Sequence, residues 1–205
     1  IALLLDQGKI QPDDDVRRFL PELKPHASPV RLRDLMRCES GTWAQFHVMP
    51  LAGWGNVPLH AAYSKPDLLD VLAGQQRLPF PPGTDFQYGS SDFFLLGLVV
   101  ERVSGKTLAQ FADENFFKPL GMTRTFYLED PALVVKNRAG GHWKQNEGWS
   151  TRGTRSNAAW SQWLPAGYVV GGGGVHSCIE DLFHWDQAFQ QMKFPRGKYL
   201  DEFRE

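Results

Sequence analysis

Apolar residues recur along the chain in short clusters divided by Gly and Pro. The longest cluster, Phe93-Phe94-Leu95-Leu96-Gly97-Leu98-Val99-Val100, is apolar on nearly every side. Such a helix has no face to give to water, so the pattern predicts a central element over about 92–103, buried all round and ended by Gly105. Ile1 to Leu5 reads as the tail of a second buried helix, ended near Gly8. Asp13-Asp14-Asp15 supply caps for a short helix through Phe19 and Leu20, which Pro21 stops. Further helices are predicted over Leu32 to Cys38, from Pro66 through Leu72, and from Leu108 to Phe117. Ser177 is placed to cap an amphipathic helix carrying Ile179, Leu182, Phe183, Trp185 and Phe189, and a last helix begins near Lys198.

The segments between these helices carry the punctuation. Thr42 to Ser64 holds Pro50, Gly53, Gly55 and Pro58 among aromatics, and reads as a long functional loop. Its Trp43, Phe46, Trp54 and Tyr63 are costly to leave wet, which argues against disorder. Gly140-Gly141-His142-Trp143 and Gly148-Trp149-Ser150 suggest a short hairpin within 138–152. Gly171 to Gly174 form a flexible turn. Strands are therefore few and short, and helices dominate.

Composition narrows the classes. The 205 residues are 42% hydrophobic and 22% charged, ordinary globular usage with enough chain for a sizeable core. A net charge of −1 and the lack of a basic run give no reason to expect nucleic acid as a partner. The longest apolar run is far short of the roughly 20 residues a membrane-spanning helix needs. Two cysteines, Cys38 and Cys178, do not make a disulfide framework and read as small buried hydrophobes. His176, Cys178, Glu180, His184 and Asp186 fit no compact zinc spacing, and no metal or cofactor is expected. Gly105-Lys106-Thr107 lacks the leading Gly of a phosphate loop, and no Gly-x-Ser-x-Gly elbow exists.

Candidate chemistry enters at the mouth of the central helix. Pro81-Pro82-Gly83 turns the chain, Thr84 to Gln87 follow, and Tyr88-Gly89-Ser90-Ser91-Asp92 leads into the apolar run. The polar Ser90-Ser91-Asp92 is suited to cap it. A tyrosine and a serine are thus held on a short turn at the end of a rigid element, where sites gain precision.

This arrangement resembles the second active-site motif, Tyr-x-Asn, of the serine β-lactamase and penicillin-binding-protein superfamily, in its class C-like esterase and peptidase branch. The likeness continues through Leu95-Leu96-Gly97, Glu101-Arg102-Val103-Ser104-Gly105 and Lys118-Pro119-Leu120-Gly121-Met122-Thr123-Arg124-Thr125. It extends to Leu5-Asp6-Gln7-Gly8-Lys9-Ile10, Ser40-Gly41, and Gly172-Gly173-Gly174-Val175-His176-Ser177 with Asp181-Leu182. The resemblance implies an α+β fold of the β-lactamase/transpeptidase type. Residues 1–205 would be a partial domain, dominated by the helical part and some of the cleft, with the main sheet segments largely outside both ends. It implies a serine hydrolase that cleaves amide or ester bonds (β-lactams, D-amino-acid peptides or small esters) through an acyl-enzyme. The partner would be a small-molecule or peptide acyl substrate, and the compartment periplasmic or secreted.

In that family a nucleophilic Ser is followed three residues later by Lys. None of the ten serines here has Lys at that position. The first residue is Ile, inside an apolar helix pattern, and no Lys-Thr-Gly or His-x-Gly third motif follows. The chain reads as an internal fragment, inactive as it stands. Tyr88 takes the family's tyrosine position, and Ser90 stands where the family has Asn. A phenol ionises near pH ~10 and needs a nearby cation to act as a base. A serine hydroxyl is shorter than an Asn amide and has one donor. Cys38 and Glu39 depart from the family's His and Thr in Leu35-Met36-Arg37-Cys38-Glu39-Ser40-Gly41. A non-catalytic ligand-binding protein or pseudoenzyme on the same scaffold therefore stays open beside the hydrolase.

Overall fold

The structure is a computed structural model that describes residues 1–26, 28–54, 64–130, 133–144, 160–163, 171–191 and 197–199. Seven α-helices lie among the described residues: α1 (Ala2–Asp6), α2 (Leu32–Met36), α3 (Gln45–Met49), α4 (Lys65–Ala73), α5 (Ser90–Ser104), α6 (Leu108–Ala112) and α7 (Ile179–Gln190). Four short strands accompany them: β1 (Phe126–Tyr127), β2 (Gly141–Lys144), β3 (Trp160–Trp163) and β4 (Val175–His176). They form two antiparallel pairs. β1 lies on β4 with Phe126 opposite His176, and β2 on β3 with Gly141 opposite Trp163. The fold is mostly helical α+β.

α5 is the axis of the core. Phe94 and Val99 are fully enclosed and Leu95 nearly so. Leu4 of α1, Leu32 and Leu35 of α2, Leu69 and Leu72 of α4 and Phe111 of α6 join the same cluster. Each such side chain contributes about 1.5–3 kcal/mol on burial. The helix stops at Gly105, which takes a left-handed φ of 69° that a residue with a Cβ adopts at a cost. A lysine ties three segments together beside it. The Lys65 ammonium donates to Glu101 at 2.6 Å and to Glu129 at 2.9 Å, and Glu101 also accepts from the Leu108 N–H.

Several local expectations change. The short helix after the aspartates is a single 3-10 turn, Val16–Arg18, capped by Asp15 alone. Residues 42–54 are not plain loop. α3 forms there and runs into a π turn, Pro50–Trp54, while Trp43 stays 40% exposed. Residues 55–63, with Gly55, Pro58 and Tyr63, lie outside the described residues. β2 pairs with Trp160–Trp163, and the stretch near Gly148–Ser150 expected for the hairpin lies outside the described residues. The helix expected over 108–117 divides into α6 and a π turn, Asp113–Phe117.

Two capping expectations fail for one reason. Ser90-Ser91-Asp92 lie inside the first turn of α5, whose N-cap is Gly89 with no side-chain cap. Cys178, not Ser177, is the N-cap of α7. Ser91, Asp92 and Ser177 instead bond across to another segment. Ser177 Oγ pairs with Thr125 Oγ1 at 2.7 Å, and buried Asp181 accepts from Thr125 Oγ1 and the Arg124 N–H. That polar anchor, with Ala188 and Trp185, holds α7 in place. Of the apolar stripe read from the sequence, Trp185 packs while Ile179, Leu182 and Phe183 are exposed.

Candidate active site

The tyrosine turn is fixed by the segment that follows α2. After Met36 the chain passes through Cys38 in a left-handed conformation, φ 56°, and then lies alongside residues 83–89. The Gly83 N–H donates to the Glu39 carbonyl at 2.8 Å, and the Gln87 N–H to the Cys38 carbonyl at 3.0 Å. Gly41, φ 72°, brings this segment against Phe80 so closely that a Cβ would overlap the Phe80 carbonyl oxygen. Only glycine suits both the dihedral and the approach.

The first turn of α5 is stapled to the same segment by side chains. Ser40 Oγ donates to Asp92 Oδ1 at 2.6 Å, and the Thr42 hydroxyl donates to the same oxygen. Ser91 Oγ donates to the Trp43 carbonyl at 2.9 Å. From the other side, Gly171 and Gly172 press their backbone onto the helix. A Cβ at Gly172 would lie 2.7 Å from the Ser90 carbonyl oxygen, and one at Gly171 would overlap that of Phe93. The glycine run is therefore a close backbone approach as well as a turn.

Between these two supports Tyr88 is 73% exposed, and its hydroxyl bonds to no described residue. Ser90, two residues on, is turned inward and 8% exposed, with Oγ buried and unpartnered among the described residues. The two expected site residues thus share one turn but not one surface. Cys38 lies beneath it, and the Gly89 N–H points at its sulfur. Burial raises the Cys38 thiol, and Asp92 raises it further, so it has none of the electropositive surroundings of a reactive thiolate.

Asp92, which the sequence offers only as a helix cap, lies inside the first turn of α5. It is 2% exposed. Burial pushes its carboxyl up to about 6, the Ser40 and Thr42 hydroxyls pull it back, and the Asp34 carboxylate adds to the rise. The signal was an acidic residue opening an otherwise apolar, buried run, since a buried charge must find partners elsewhere.

The turn thus presents an exposed phenol at the end of a buried helix, braced by a Ser-Gly segment on one side and a glycine run on the other. The Beta-lactamase family model matches residues 1–204, and the chain belongs to that family. A putative D-alanyl-D-alanine carboxypeptidase of Escherichia coli (strain K12) is 30% identical over 135 residues, 60% of this chain and 29% of its own length. Penicillin-binding protein 4* of Bacillus subtilis (strain 168) is 27% identical over 201 residues, 95% of this chain and 42% of its own. Among solved structures, a penicillin-binding protein from Bacillus halodurans superposes with a TM-score of 0.73 at 26% identity, over 97% of this chain and 56% of that one. A D-stereospecific amidohydrolase from Streptomyces shares the fold with a TM-score of 0.78 at 19% identity, over 98% and 59%. The chain spans less than two thirds of each of these relatives. No helix among the described residues is long and apolar enough to cross a membrane.

Proposed function

We propose that the protein carrying this chain is a serine hydrolase of amide or ester bonds, and that Tyr88 is its proton-transfer group. Residues 1–205 then supply the helical part of a β-lactamase-related domain and one wall of its cleft. The observation that carries this reading is the Tyr88 phenol, held exposed on a turn fixed from both sides. A serine oxygen attacks the acyl carbon, the leaving group departs with a proton, and an acyl-enzyme remains for water to resolve. On this reading Tyr88 takes and returns that proton, a role worth roughly 10²–10⁴-fold. The names of the relatives agree with this chemistry: a carboxypeptidase, a D-aminopeptidase of Gluconobacter oxydans and a lovastatin esterase of Penicillium rubens.

The 205 residues alone form no acyl-enzyme on this reading, because no serine has its lysine. A fluorophosphonate or penicillin-type probe should leave their intact mass unchanged, and a stoichiometric adduct would overturn that statement. In the full natural chain, Tyr88→Phe should lower kcat/KM for a p-nitrophenyl ester by roughly 10²-fold or more. Its melting midpoint should stay put, since an exposed hydroxyl contributes little. Full activity in that variant removes Tyr88 from the mechanism.

The binding-protein reading has one observation in its favour: the inward Ser90 at the family's Asn position. It predicts saturable binding of a D-amino-acid peptide or ester by the full natural chain without turnover.

A further inference from the structure

The buried carboxylate of Asp92 has a structural setting that packing alone does not call for. Among the described residues it has no cationic partner, and the charged or ionisable groups that reach it are Asp34 from α2 and Cys38 from the segment after it. A carboxylate buried without a cation is costly unless hydrogen bonds satisfy it. Here both donors come from one short segment: Ser40, itself 1% exposed, and Thr42. Ser40 and Thr42 are joined in turn, their hydroxyls 2.8 Å apart, with the Thr42 N–H on Ser40 Oγ at 3.0 Å. The carboxylate is therefore the one acceptor on which this whole small network converges. It sits in the first turn of α5, four residues after Tyr88.

We propose that Asp92 is a positioning residue: through Ser40 and Thr42 it locks the first turn of α5 to the 40–43 segment, and so fixes the Tyr88 phenol against the acyl group in transfer. This rests on the hydrolase reading above. Asp92 touches no reacting atom. Its contribution is the placement of a group that must stand within a fraction of an ångström of its productive position. The requirement is for an acceptor at Oδ1, not for a charge, because both contacts are donated by hydroxyls.

The test compares Asp92→Ala, Asp92→Asn and Thr42→Val in the full natural chain, by hydrogen exchange and by steady-state ester hydrolysis. Asp92→Ala should speed exchange of the 86–94 amides tenfold or more while the α6 amides keep their protection. It should lower kcat roughly 10–100-fold with KM changed less than threefold. Asp92→Asn keeps the Oδ1 acceptor and should restore kcat to within about threefold of wild type. If Asp92→Ala does not fold, Thr42→Val reports the same loosening in milder form. Unchanged exchange over 86–94 overturns the lock. Faster exchange with unaltered kcat overturns the positioning role. A full natural chain that never turns over ester overturns the hydrolase reading instead, and the exchange data still decide the lock.

Discussion

Burial holds the Asp92 carboxyl at about 6, against an ordinary value of 3.8, and the Ser40 and Thr42 hydroxyls oppose that rise without cancelling it. Between the two values the folded protein binds more protons than the unfolded chain. The contribution of this group to stability is therefore whole below about pH 4 and is lost as pH climbs through about 6. Asp92→Asn removes the titration and keeps the acceptor. The urea stability of the variant, measured against wild type, should improve between pH 4 and 7 by up to about 3 kcal/mol, at 1.36 kcal/mol per unit of displacement. A difference that stays flat across that range would show that the carboxyl titrates as an exposed one. Ser90 invites the opposite experiment. Its hydroxyl is buried and unpartnered, so Ser90→Ala should leave the melting midpoint unchanged or slightly higher. A fall in kcat/KM of about tenfold in that variant would then report a contact with substrate, whereas unaltered kinetics would take Ser90 out of the site.

Among the elements, the junction between the 38–43 segment and the 80–89 loop tolerates least. Gly41→Ala must accept both a left-handed φ and an overlap with the Phe80 carbonyl. It should destabilise the protein by more than about 2 kcal/mol in urea, with the loss concentrated near the Tyr88 turn. A Gly41→Ala protein as stable as wild type would mean that the two segments part without penalty. The elements themselves were largely legible. Continuous apolarity gave α5, and Pro66 ahead of Leu68, Leu69 and Leu72 gave α4, because local sequence decides those stretches. What could not be read was the direction of polar side chains near helix ends. Ser91, Asp92 and Ser177 have the composition of caps but bond to Trp43, Ser40, Thr42 and Thr125, which are about fifty residues away in sequence. The exposed turn that carries Tyr88 was legible because Pro81-Pro82-Gly83 precede a buried helix there. Asp92 was not, because its partners are supplied by a segment that sequence spacing does not connect to it.

At the scale of the whole molecule, α5 is the axis of the main core among the described residues, and the turn that carries Tyr88 stands at its N-terminal end. Cys38 lies under that turn, 6% exposed, while Cys178 is more open, and neither is in a disulfide. A buried thiol beneath an exposed turn is in effect a chemical clock. An alkylating reagent should modify Cys178 promptly and reach Cys38 only in the instants when the tyrosine turn lifts from the sulfur beneath it. The rate at which mass accumulates on Cys38, once it no longer depends on reagent concentration, is then the opening rate of the turn itself. Labelling of both thiols at equal speed would mean the turn is never closed. On the proposed hydrolase reading, a slow second step that an acyl substrate slows further would time the opening of the cleft without any probe being added to the chain.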